Sequence, residues 1–132
     1  MEFKSDLTYT PELATKTLPL VRRIVLDILS AERKLQLILQ EHGEYAPLEP
    51  AYRNQKVFIT QFIVELQDLG CSYKELNTDV GLVEYPSEIA GEEVLLCWRS
   101  DEDAVTHYYF PGDTYTDRQP IPGLLHNVEL NG

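Results

Sequence analysis

Apolar residues recur at Val21, Ile24, Ile28, Ala31, Leu35 and Ile38. Steps of three and four place them on one face of an α-helix. Leu18, Val25 and Leu29 widen that face, as expected of a helix packed in a globular core. Arg22, Arg23, Glu32, Arg33 and Lys34 mostly fall elsewhere. Thr10, Pro11 and Glu12 mark the start: a capping hydroxyl, a residue with no N–H to lose, and a carboxylate near the positive end of the dipole. His42 and Gly43 mark the end. Pro19 removes a backbone donor within the pattern, which predicts a kink or a short first piece split from the rest.

Pro47 and Pro50 make the following GEYAPLEP a loop. A second helical stripe, Phe58, Phe62, Ile63, Leu66 and Leu69, predicts a helix over Ala51–Leu69, stopped by Gly70. Two long helices joined by a short loop are expected to lie antiparallel.

From Cys71 the period changes. Ser72–Leu76 reads as a weak, short strand, and Asn77–Gly81 as a turn. Leu82–Ile89 reads as extended, with Pro86 confining it to an edge or a bulge. Ala90-Gly91 suits a hairpin turn, and Glu93–Arg99 is the strongest strand. After a polar SDED turn, Ala104–Phe110 is rich in β-branched and aromatic residues and reads as another strand. Pro111-Gly112-Asp113 closes it, and the remainder reads as coil. The fold class is therefore α+β: a long antiparallel helical hairpin packed on a small antiparallel β-meander of three to four strands. The 132 residues form one domain on this reading: hairpin at about 10–70, meander at about 71–111, C-terminal coil at about 112–132.

Composition narrows the function classes. A net charge of −11 opposes phosphate backbones and anionic bilayers, so neither nucleic acid nor membrane is an expected partner. The opening MEFKSDLTYT has no apolar core segment and no basic leader, which predicts no signal peptide. Two cysteines, Cys71 and Cys97, are too few and too far apart for a disulfide framework, and a cytoplasmic location is expected.

Two blocks carry a family resemblance. In YTPELATKTLPLV, Thr10, Ala14, Leu18 and Pro19 follow a "Thr, three residues, Ala, three residues, Leu-Pro" pattern. The other block is GLVEYPSEIAGEEVLLCWRS, with the later Arg118-Gln119-Pro120-Ile121. Together they run from Tyr9 to Ile121, and the chain resembles the family catalogued as domain of unknown function 2203. The resemblance carries over no catalytic residue. The resemblance implies, for many relatives, a Trp-His pair just before the Gly-rich turn, where this chain has His107, Tyr108 and Tyr109.

The reactive side chains concentrate in residues 81–121. The candidate ligand-binding residues are Cys97, Arg99, His107, Tyr109 and Arg118. Cys97 is a nucleophile only if a cation or histidine shares its sheet face. An odd hairpin loop sets residue 97 opposite 107; an even loop puts the two on opposite faces. Core packing is the commoner role for a thiol between Leu96 and Trp98. Arg99 and Arg118 suit a bidentate anion, or Arg118 pins the coil through Asp113, Asp117 or backbone carbonyls. Glu92-Glu93 and Asp101-Glu102-Asp103 read as solvated turn charges, whereas Glu84 sits in a strand and faces solvent or a pocket. Cys97, His107, Glu84 and Asp79 include metal-ligand types but no ligand spacing, and His42 and His126 lie at a helix end and in the tail. No metal and no cofactor are therefore expected, and no Gly-rich phosphate loop occurs.

Two functional classes follow. The first is a non-catalytic binding or protein-interaction module, forming a homodimer through its helices. The alternative is a small enzyme or a protein that binds a small anionic ligand, using the five residues above.

Overall fold

The computed structural model describes residues 8–123. The opening residues, His126 and the end of the C-terminal coil lie outside the described residues.

The helical half follows the apolar stripes. Helix α1 spans Pro11–Lys16, and the Thr10 hydroxyl accepts from the Leu13 N–H at 3.1 Å. Helix α2 spans Leu18–His42, with Pro19 in its first turn, where a missing N–H costs nothing. Pro19 thus splits off a short first helix. Thr17 holds the break: its hydroxyl donates to Ala14 O at 2.6 Å and lies 2.8 Å from the Tyr85 hydroxyl. The GEYAPLEP segment, expected as loop, winds into a 3₁₀ turn at Gly43–Leu48. Helix α3, Pro50–Asp68, runs back against α2.

Five strands follow as a meander: β1 Ser72–Glu75, β2 Gly81–Ile89, β3 Glu92–Arg99, β4 His107–Tyr109 and β5 Gln119–Pro120. Each pairs antiparallel with the next. Strand β1 covers only Gly81–Glu84 of β2, so Pro86 lies on a free edge. There the N-terminal segment attaches: Tyr9 N–H donates to Pro86 O at 2.7 Å, and the Ser87 hydroxyl donates to Tyr9 O at 2.5 Å. The two-residue turn has positive φ at Ala90 (54°) and Gly91 (82°), which matches the twist of a tight hairpin. Gly81 is needed for space, since a Cβ there would meet the Tyr73 ring at 2.6 Å.

The last part of the chain departs from expectation. Strand β4 is shorter than Ala104–Phe110 because residues 103–106 turn away toward α1. Val105 is fully buried there, and its N–H donates to the Thr15 hydroxyl at 3.0 Å. The C-terminal coil contains a 3₁₀ turn at Tyr115–Asp117 and then β5, which adds a strand beyond the expected three to four. Ile121 N–H donates to Thr106 O at 2.9 Å, and its side chain is buried.

The sheet has two unlike faces, as its period of two requires. Val83, Tyr85, Val94, Leu96, Trp98 and Tyr108 face the helices and pack with Leu18, Val21, Val25 and Ile28. The opposite face carries a smaller cluster, Leu82, Cys97 and Tyr109, with Leu76, Leu95 and Tyr115 packed against it. Among the described residues, no helix is long and apolar enough to cross a membrane.

Candidate functional site

The register decides which candidates meet. Cys97 pairs with Glu84 on one side and with His107 on the other. This is the odd-loop arrangement, so all three side chains share the face turned away from the helices. Arg99 and Tyr109 are each two residues from a member of that row and share the face. Arg118 reaches it from the segment before β5. The five candidate residues therefore occupy one side of the sheet.

What they do there is largely internal. Arg118 donates from Nη1 to Glu102 Oε1 at 3.2 Å and from Nη2 to Glu102 Oε2. Its guanidinium also stacks over the Tyr115 ring, 5.0 Å from the centroid. Arg99 forms a similar fork on Asp101, at 3.0 Å from Nε and 2.8 Å from Nη2. Its Nη1 donates to the Tyr115 hydroxyl. The two guanidiniums thus flank one tyrosine, each facing a carboxylate of this chain. His107 keeps Nδ1 2.9 Å from the Thr106 hydroxyl.

Glu102 overturns its reading as a solvated turn charge. Its side chain is 22% exposed, and its Oε1 also accepts the Arg99 backbone N–H at 2.9 Å. Its carbonyl accepts from Trp98 Nε1 at 2.9 Å and from Arg22 Nη2 at 2.7 Å. One turn residue therefore ties α2, β3 and the C-terminal segment together. Arg118 pins the coil, as one alternative supposed, but through Glu102 rather than Asp113, Asp117 or backbone carbonyls. Nothing in the spelling of SDED distinguishes Glu102 from its solvated neighbours.

Glu84 is buried at 5% exposure. Its Oε2 accepts from the Tyr109 hydroxyl, and Lys74 Nζ lies 3.2 Å away. A carboxylate in this position tolerates burial because it is both hydrogen-bonded and paired. Its place between Val83 and Tyr85 in a strand was the visible signal. Lys74 carried none, because β1 is short and mostly exposed.

The electrostatics do not favour covalent chemistry. Burial pushes the Cys97 thiol up, and the opposing pull of nearby Arg118 is smaller. Burial pushes the Cys71 thiol up to about 11. His107 is held below its ordinary value, first by burial and then by the Arg118 charge, with Glu102 acting against them. Tyr109 is pushed up, first by burial and then by its bond to Glu84. Each shift favours the neutral form. Among the described residues, no three His, Cys, Asp or Glu side chains gather as a metal would require.

Residues 7–121 match the family described as uncharacterized conserved protein (DUF2203), and the chain belongs to it. No curated protein matches the chain, and no solved structure does.

Proposed function

We propose that the protein is a non-catalytic interaction module whose helical hairpin pairs with a second copy of the chain. The observation that carries this reading is the groove between the helices. Asp27, Ser30, Ala31 and Lys34 of α2 and Gln55, Phe58 and Phe62 of α3 line a space of about 150 Å³. Phe58 is 46% exposed at this groove, and Leu26 (50%) and Leu37 (63%) are exposed on α2. Leu26 is four residues before Ser30 and Leu37 seven after it, so the three share one side of the helix. Of the 19 residues of α3, Leu66 is the fully buried one.

A two-helix layer covered by a sheet on one side leaves its other side to water. Large apolar residues gathered there mark an association surface. A second copy fits because the patch is complementary to itself: Leu26 and Leu37 bracket Ser30 and Ala31, so an antiparallel copy sets each Leu26 near the other chain's Leu37. The polar face of the sheet supports the alternative less well. An anionic ligand would have to displace Asp101 from Arg99 or Glu102 from Arg118, and neither thiol is activated.

Sedimentation equilibrium at micromolar protein tests the reading. The expected mass is twice the 15.2 kDa of the chain, and Phe58→Asp or Leu37→Asp is expected to return it to one. A wild-type mass of 15.2 kDa at every concentration would refute it.

A further inference from the structure

Resting on that pairing, we propose that the two copies cross antiparallel over Ser30 and Ala31, with Asp27 of each copy against Lys34 of the other. Both charged residues line the groove, one at each end of its α2 wall. Both are exposed, and among the described residues neither forms an ion pair within its own chain. Two turns separate them, about 10 Å along the axis at roughly 1.5 Å per residue, which is too far for them to pair with each other. Between them stands Ser30, exposed and small enough to let a second helix approach closely, with Ala31 buried beside it.

The spacing is symmetric. Asp27 and Lys34 lie equally far on either side of the Ser30–Ala31 midpoint. A two-fold axis through that midpoint makes an antiparallel contact with two reciprocal Asp27–Lys34 pairs. A parallel contact would instead set Asp27 against Asp27 and Lys34 against Lys34, and like charges juxtaposed in an interface reject that arrangement. Apolar burial at Phe58, Leu26 and Leu37 supplies the attraction, and the charges select the direction.

Charge reversal tests the direction separately from the pairing. Asp27→Lys and Lys34→Asp are each expected to weaken the dimer about tenfold or more, by making both reciprocal contacts repulsive. The double variant, and an equimolar mixture of the two single variants, are expected to return within about threefold of wild type, since both restore opposite charges. Both side chains are exposed, and circular dichroism melts check that each variant stays folded. Single reversals without effect, or weakened singles that neither the double variant nor the mixture rescues, overturn the antiparallel crossing while the Phe58-dependent dimer stands. A monomeric wild type strikes the pairing itself.

Discussion

Arg118 and Glu102 form a two-pronged ion pair across the mouth of the β3–β4 connection, with Arg118 14% and Glu102 22% exposed at the side chain. Sixteen residues separate the partners in sequence. The pair fastens the last segment of the described chain to a turn that is itself fastened to α2 by Arg22 and to the sheet by Trp98.

Breaking this pair is expected to cost stability. Arg118→Ala strands a mostly buried carboxylate, and the expected loss is about 1–3 kcal/mol in urea unfolding. Arg118→Lys keeps the charge but loses the planar fork, so it is expected to recover only part. If Arg118→Ala unfolds at the wild-type midpoint, the clamp has no energetic role.

Tyr109→Phe removes the hydroxyl that donates to Glu84 and leaves a buried carboxylate with Lys74 alone. The expected cost is about 1–3 kcal/mol. In the Glu84→Leu background the same change is expected to cost far less, because no acceptor remains to be stranded. Equal costs in both backgrounds would show that the two side chains are not coupled.

Both thiols are buried and shifted toward the protonated form. At pH 8 the native protein is expected to react with a disulfide reagent roughly a hundredfold more slowly than the urea-unfolded chain. A fast native phase that disappears in Cys97→Ser would identify Cys97 as an activated thiol and revive covalent chemistry on this face.

His107 makes stability depend on pH. Its folded pKa is lowered, so the folded state binds the proton less tightly than the unfolded chain does. The stability tied to this group is present above the unfolded value of about 6.5 and is lost as pH falls through the folded value. Between pH 7.5 and 5.5 the wild-type melting temperature is expected to fall more steeply than that of His107→Gln. Parallel curves for the two proteins would remove the contribution.

The helices were legible from the sequence because their information is local. The stripe from Leu18 to Ile38, the Thr10 cap, the Pro19 break and the Gly70 stop are each read within a few residues. Strands β2 and β3 and the turn between them were legible for the same reason, through the extended run Leu82–Ile89, the apolar run inside Glu93–Arg99 and the Ala90-Gly91 pair. The resemblance carried by the Thr10 and Gly81 blocks led to the right family. Strand β5 was not legible: two residues ending in proline show no alternation, and they are extended only because β4 offers an edge.

The candidate face divides along the same line. The residue types at Cys97, Arg99, His107, Tyr109 and Arg118 were visible in the chain, but their common side depended on one register, and odd and even loops fit SDED equally well. Packing chose the odd register, which puts Leu96 and Tyr108 under the helices and Cys97 beside His107. The partners were further out of reach. Glu102 belongs to Arg118, and Glu84 to Tyr109 and Lys74, because folding brings distant segments within hydrogen-bond distance in a place with little water. Local patterns therefore determined the helices, strands β2 and β3 and the apolar faces of the helices. Only the tertiary structure decided which charges are neutralised within the chain and which, like Asp27 and Lys34, are left facing outward, because ion pairing depends on distance in space and on exclusion of water, and neither is written in the order of residues.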